Sequence, residues 1–156
     1  MSVSVVPEPA AWDAFVQEAD PGSYLQLAAW ARVKRPNGWV ATRFVAQAPG
    51  GPIGAQVLLR RPGLLPWAFA YAPRGPVTAA WRTDALAPFT SGARQALGAA
   101  GRISHLRIDP EIEADGPHDP GGALREALRQ AGWRSAPAIQ PASTRLIDLR
   151  ASLGAR

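Results

Sequence analysis

The 156-residue chain contains no cysteine, so it can form neither a disulfide nor a thiolate zinc site. Catalysis through a thioester is excluded for the same reason, and the composition fits a reducing cytoplasm. The two histidines, His105 and His118, lie far apart in the sequence, and His105 falls in a predicted strand, so we expect no metal site. No secretory signal pattern is visible, and no apolar run approaches the ~20 residues of a membrane helix.

Lysine is almost absent. Lys34 is the only one among 17 basic residues, and the formal net charge is +5. A basic balance suits an acidic partner such as nucleic acid, a diphosphate or an anionic membrane surface, although solvated arginines from a compositional bias would give the same count. Lysine is a compact, strongly hydrated charge that arginine does not reproduce. Lys34 therefore stands out as a candidate ligand for an anion.

Lys34 lies at the end of a predicted helix over residues 25–34. Trp30 is four residues earlier, so its ring and the ammonium share one side of that helix. Pro36 disfavours helical geometry at Arg35, and Asn37-Gly38 is a tight-turn pair. A strand is expected to begin at Trp39. The tryptophans are expected mainly in the core.

The order of predicted elements indicates an α/β fold. We expect a strand, two helices, three antiparallel strands, a helix, a strand, a helix and two closing extended segments, in that order. The strands are predicted at residues 2–6, 39–47, 53–61, 67–72 and 103–108, and the helices at 9–19, 25–34, 83–100 and 123–131. The two extended segments are predicted at 134–137 and 143–149. Such an alternation gives a mixed, mostly antiparallel sheet with helices on both faces. It is the element order of the GNAT acyltransferase fold. The length suits one domain, which we place at residues 1–150, with 151–156 as a tail.

Acetyl-coenzyme A enzymes of the GNAT fold carry a glycine-rich loop after the antiparallel strands, whose backbone amides hold the pyrophosphate. The corresponding segment here is APRGPV, residues 72–77. Pro73 and Pro76 have no amide proton to donate, and the glycine spacing is missing. The sequence therefore argues against an acetyl-coenzyme A enzyme.

Four motifs, in order, carry a family resemblance: YLQLAAWARVK followed by Trp39, YAPRGPV, LRIDPEI, and LREALRQAGWR with QPASTRLIDL. Together they resemble the N-terminal half of the FemABX family, the tRNA-dependent aminoacyltransferases that build peptidoglycan interpeptide bridges. The resemblance implies two tandem GNAT-like domains, of which this chain matches the first. It departs from the family at Leu27, where a small polar residue is usual.

The resemblance implies roles for six residues. Asp109, after a central strand, would handle the proton of the acceptor amine, and Lys34 would pair with the diphosphate of the precursor. Further substrate contacts are expected from Tyr71, Arg74, Arg35 and Trp30. Pro110 favours an extended conformation at Asp109, although that carboxylate could simply cap a turn. We further expect Lys34 and Asp109 to line one cleft.

The resemblance also implies the partners. These are a UDP- or lipid-linked peptidoglycan precursor, aminoacyl-tRNA as co-substrate without any other cofactor, and a second domain or partner chain. The chain would act in the cytoplasm at the inner face of the plasma membrane, as a peripheral protein, and would be inactive as the isolated domain. The alternative functions are a non-catalytic module that binds the precursor or tRNA and, less favoured, an acetyl-coenzyme A N-acetyltransferase.

Overall fold

The computed structural model describes residues 3–6, 8–113 and 116–141. Six strands form one sheet: β1 (Val3–Val5), β2 (Val40–Ala46), β3 (Ile53–Arg60), β4 (Ala68–Ala72), β5 (Val77–Thr78) and β6 (Ile103–Ile108). The α-helices are α1 (Pro9–Gln17), α2 (Ala28–Lys34), α3 (Leu86–Ala100) and α4 (Ala123–Gln130).

The sheet has the order β1-β2-β3-β4-β6, and β5 pairs with β3 beyond the end of β4. Every pairing is antiparallel except that between β4 and β6, which is parallel. The parallel pair is possible because α3 carries the chain back across the sheet before β6 begins. The predicted mixed, mostly antiparallel sheet is therefore confirmed.

Helices cover both faces of the sheet. On one face Phe44 of β2 stacks on Phe89 of α3 with 5.5 Å between ring centroids, and both are fully buried. On the other face Trp12 of α1 and Ala28 of α2 pack with Val77 in a second buried cluster. Side chains alternate along β2 and β3, which is why each helix layer meets a different set of residues.

The predicted helix over 25–34 is divided in the structure. A 3-10 turn, Tyr24–Gln26, is followed by Leu27 in extended geometry, and α2 begins only at Ala28. The cause is a contact from α1: the Asp13 carboxylate accepts the N–H of Ala28 at 2.7 Å and satisfies a donor at the start of α2.

Other differences fall at the ends of elements. Residues 35–37 form another 3-10 turn that ends at Gly38, whose φ of 76° lies in the left-handed region. The short strand β5 was not predicted, and the expected extended segment at 134–137 belongs to no strand. The expected segment at 143–149 lies outside the described residues. None of the described helices has the length and apolar character required to cross a membrane.

Candidate functional site

A polar cluster lies where the parallel strands β4 and β6 end. Asp109 follows β6, and its carboxylate accepts the Tyr71 hydroxyl at 2.8 Å and the backbone N–H of Arg74 at 2.7 Å. The carboxyl ends of neighbouring parallel strands commonly form the ligand crevice of an α/β sheet. The structure thus brings three of the six predicted site residues into direct contact.

The loop after β4 is shaped by this cluster. Arg74 has a φ of 53°, a left-handed conformation that non-glycine residues seldom adopt. It is held there by the Asp109 carboxylate and by the adjacent Gly75 carbonyl, which accepts the N–H of Asp109 at 3.2 Å. Asp109 therefore has a structural role in addition to any chemical one.

Residues 140–141 complete the cluster. The Gln140 side-chain amide donates to the Tyr71 hydroxyl at 3.2 Å, and the Arg74 guanidinium donates to the Pro141 carbonyl at 3.2 Å. No role was predicted for Gln140, although it lies in a motif that carried the family resemblance. Its signal was an amide preceding a proline in an otherwise apolar stretch.

Tyr71 stays protonated at neutral pH. Burial, together with the hydrogen bond to and the charge of the Asp109 carboxylate, raises its pKa to about 12, against lowering contributions from Gln140 and the nearby Arg107 charge. Tyr71 therefore serves the cluster as a hydrogen-bond donor. Arg107 is its register partner on β6, and the buried Nε of Arg107 has no hydrogen-bond acceptor within the described residues.

A fully buried amide, Gln26, holds the same loop from the helix side. Its Nε2 donates to the Pro73 carbonyl at 2.7 Å and to the Gln56 carbonyl at 3.3 Å, and its Oε1 accepts the Gln56 N–H at 2.8 Å. On the edge of β3 that faces away from β2, no strand pairs with Gln56 between the pairings with β4 and β5, and the Gln26 amide takes the place of a backbone peptide there. We had not predicted this function for Gln26.

Lys34 belongs to a second group. Its ammonium lies 4.7 Å from the centroid of the Trp30 ring, and Tyr24 meets the same ring edge-on at 6.1 Å. This is a cation–π contact at the end of a helix, where a cation also suits the helix dipole. The structure therefore pairs two further predicted residues, Trp30 and Lys34.

Arg35 borders a different groove. This groove of about 410 Å³ lies between α2 and the start of β2, and Arg32 and Arg43 also line it. Burial lowers the pKa of Arg43, whose Nε donates to the Gln56 side chain at 2.8 Å.

The two groups lie on the same side of the sheet but at different levels along its strands. Tyr71 shares its face with Gln56, whose side chain donates to the Leu27 carbonyl just before α2. Asp109 follows the last residue of β6, whereas the end of α2 leads into the first residue of β2, which is level with the middle of β4. Three residues of strand, roughly 10 Å, separate that level from Asp109. The single cleft expected for Lys34 and Asp109 remains a prediction.

An aromatic row lies between the two groups. Phe69 meets Trp39 at 5.9 Å and stacks near Tyr71 at 6.4 Å between ring centroids. The expectation that the tryptophans lie mainly in the core holds for Trp81 and Trp133, which are half-buried against it. It was wrong for Trp30 and Trp39, which are half-buried outside the core clusters, and for Trp67, which is exposed. Of the tryptophans, Trp12 is fully buried.

The loop at residues 73–76 has no free amide to offer a pyrophosphate. Pro73 and Pro76 have none, the N–H of Arg74 is bound to Asp109, and that of Gly75 is bound to the Ala72 carbonyl at 3.1 Å. This geometry agrees with the sequence argument against an acetyl-coenzyme A site.

Fold and cluster together define a class: a GNAT-like α/β domain with a carboxylate-centred site at the ends of its two parallel strands. The model of the FemAB family matches residues 8–127, and the chain belongs to that family. The predicted resemblance is thereby confirmed.

Two known proteins illustrate the relationship. The chain is 34% identical over 104 residues to a Staphylococcus aureus protein named lipid II:glycine glycyltransferase, a match that covers 66% of this chain and 24% of that protein. A crystal structure of FemX superposes with a TM-score of 0.70 at 29% identity, covering 85% of this chain and 32% of that one. The chain thus spans about a quarter to a third of the length of these relatives.

Proposed function

We propose that this chain is the precursor-binding domain of an enzyme that moves an amino acid from aminoacyl-tRNA to an amine on the stem peptide of a peptidoglycan precursor. The observation that carries the proposal is the Asp109–Tyr71–Arg74 cluster on the same side of the sheet as Lys34. Membership of the FemAB family, and the name of the glycyltransferase relative, support this substrate class. Lipid II is the acceptor most in keeping with that name.

The reaction needs an unprotonated amine. The ammonium first loses one proton, and the resulting amine nitrogen attacks the ester carbonyl as the carbon–oxygen bond to the tRNA breaks. A second proton passes from the nitrogen to the leaving hydroxyl, so that one proton is released overall. Amines are mostly protonated at neutral pH, so a group that orients the ammonium and accepts its proton would accelerate the step. We assign that role to Asp109.

The Asp109 carboxylate retains room for a substrate. A carboxylate has about four acceptor positions, and the described residues occupy two of them, from Tyr71 and Arg74. Because Tyr71 is neutral at pH 7 and donates, it leaves the negative charge on Asp109. An incoming ammonium would thus meet an anion whose position is already fixed.

Lys34 would hold the opposite end of the precursor. Its ammonium is a point charge suited to a diphosphate, and Trp30 restricts the side chain to one region. A precursor that reached both Lys34 and Asp109 would extend along the aromatic row of Trp39, Phe69 and Tyr71. We place the protein in the cytoplasm at the inner membrane face, where lipid-linked precursors present their diphosphates.

Titration of this chain with the UDP-linked precursor, followed by calorimetry, tests the proposal. Lys34→Ala should weaken binding about tenfold, the effect of one lost charge-assisted contact. Asp109→Asn should bind nearly as well and should lower turnover wherever transfer is measured. Arg125→Ala and Glu18→Gln, which alter exposed charges elsewhere, are matched controls. The absence of precursor binding, or equal effects of Lys34→Ala and Arg125→Ala, would contradict the proposal.

A second function is a binding module without turnover. The observation favouring it is that both Asp109 oxygens already hold the chain's own structure together. Precursor, aminoacyl-tRNA and this chain, incubated together, separate the alternatives. We expect little transfer from the 156 residues alone, because the match covers only 24% and 32% of the two relatives. Robust turnover would show that the domain is a complete enzyme.

A further inference from the structure

The connection between β3 and β4 presents apolar side chains to solvent. All residues from 61 to 67 are exposed, Leu64 completely, while Leu65 and Trp67 retain 40% and 39% of their accessible surface. Val40, at the adjacent start of β2, is 67% exposed. We call residues 60–67 the β3–β4 tip. Grouped exposed apolar residues of this size commonly mark an interaction surface.

The tip is held in one shape before it meets a partner. Pro62 and Pro66 fix two backbone φ angles, and the Leu65 N–H donates to the Pro62 carbonyl at 3.2 Å across a turn. Gly63, inside that turn, has a φ of 53°, in the left-handed region. A preformed turn loses little conformational freedom on binding. The leucines therefore project outward because of the fold and are not the exposed part of a loose loop.

Positive charge lies at the base of the tip. Arg60 and Arg61 lie at its base, and Arg102 is next to it because the Arg102 carbonyl accepts the Ala68 N–H at 2.8 Å. From residue 21 to 108 the sequence has eleven basic residues and a single acid, Asp84, which pairs with Arg82 at 2.7 Å. A surface of this sign attracts anions over a Debye length.

We infer that the β3–β4 tip docks on an anionic lipid bilayer. Leu64 and Leu65 would enter the boundary between headgroups and acyl chains, Trp67 would lie at the interface, and the arginines would contact anionic headgroups. A protein partner fits less well, because a stable protein–protein interface takes about 20–30 residues on each side, whereas the tip comprises only residues 60–67.

Docking through the tip would fix how Asp109 and Lys34 are oriented relative to the bilayer. The tip lies at the starting ends of β4 and β6, and Asp109 at their far ends, so docking would hold Asp109 away from the bilayer. The end of α2, with Lys34, lies toward the tip. A lipid-linked diphosphate at headgroup level would then meet Lys34 first. This last step rests on the proposed function, whereas the docking itself does not.

Cosedimentation with vesicles tests the docking and needs neither precursor nor tRNA. The chain should bind vesicles of phosphatidylglycerol and phosphatidylcholine mixed equally, and bind pure phosphatidylcholine weakly. Replacing Leu64 and Leu65 together by serine should reduce binding at least about tenfold. Arg60→Gln with Arg61→Gln should reduce it about fivefold per charge. Binding to anionic vesicles should also blue-shift tryptophan emission, and Trp67→Phe should remove that shift.

Matched controls use the same chemistry elsewhere. Ile139→Ser removes an exposed apolar side chain, 54% accessible, outside the tip, and Arg125→Gln with Arg134→Gln removes two exposed charges. Both should bind vesicles as the unchanged chain does. The inference is overturned by absence of binding, by equal binding to both vesicle types, or by leucine variants that bind normally. Self-association abolished by the leucine substitutions, without vesicle binding, would assign the tip to a second copy of the chain instead.

Measuring precursor binding alongside vesicle binding distinguishes a failure of the docking inference from a failure of the proposed function. A chain that binds vesicles through the tip but not the UDP-linked precursor would retain the docking and reject the precursor site. A chain that binds the precursor but not vesicles would do the reverse.

Discussion

Gln26→Leu should be among the most destabilising substitutions in this domain. The leucine has nearly the same volume and would remain fully buried. It removes, however, two donors and one acceptor: those that reach the Pro73 carbonyl, the Gln56 carbonyl and the Gln56 N–H at 2.7, 3.3 and 2.8 Å. These backbone groups belong to Pro73 and Gln56, which are fully buried, so water cannot easily replace the lost partner.

The magnitude follows from the groups left behind. Each buried polar group without a partner costs about 1–3 kcal/mol, and the added apolar surface of leucine offsets part of that loss. We expect the free energy of unfolding to fall by roughly 2–5 kcal/mol. For a domain of 156 residues, that corresponds to a melting temperature lower by roughly 5–15 °C.

Urea unfolding followed by circular dichroism measures this effect, with thermal unfolding as a second readout. Gln47→Leu, the same exchange at an exposed position just after β2, should change stability by less than about 0.5 kcal/mol. A loss below about 1 kcal/mol for Gln26→Leu would show that the amide is not substituting for a strand peptide beside β3.

Three further predictions concern the loop and its cluster. The alkaline absorbance titration of Tyr71, taken as the difference between the unchanged chain and Tyr71→Phe, should have a midpoint near 12. The free energy of unfolding should fall as pH rises from about 10 through that value, because the pKa of Tyr71 is higher in the folded than in the unfolded chain. A midpoint near 10 would contradict the burial argument. Gly75→Ala should destabilise by about 2 kcal/mol, since its Cβ would lie 2.8 Å from the Gln26 Nε2, whereas Gly98→Ala, in open space on α3, should not; equal unfolding midpoints would refute this. Calorimetry with acetyl-coenzyme A should detect no binding in the micromolar range, and tight binding would reject our account of residues 73–76.

Elements with a clear hydrophobic period were predictable from the sequence. β6 was predicted with its observed bounds, and β2, β3 and β4 to within one residue at each end, because alternation along a half-buried strand is a local property. The break before α2 was not predictable in this way. It depends on Asp13, fifteen residues away, which places its carboxylate at the N–H of Ala28. Tertiary contacts of this kind override local propensity.

The cluster was predictable only in part. Asp109, Tyr71 and Arg74 each lie next to a strand end, and strand ends can be located from sequence. Gln140 and Gln26 reach their partners over 69 and 47 positions, to Tyr71 and Pro73, and no local pattern reports such pairs. The exposure of Trp67 was missed for a similar reason, since composition favours burial of tryptophan and only the direction of the β3–β4 tip decides otherwise.

The single lysine beside Trp30 makes this domain simple to label at one side chain. Lys34 is the only lysine of the 156 residues, so an amine-directed reagent finds one side-chain target in the folded domain. Acylation there would neutralise the ammonium that lies 4.7 Å from the Trp30 ring, and a dye attached at the same nitrogen would quench that indole by energy transfer. A ligand that occupied Lys34 would slow the modification. The rate of one chemical reaction at one atom would then report, without any enzymatic assay, whether an anion is bound at the end of α2.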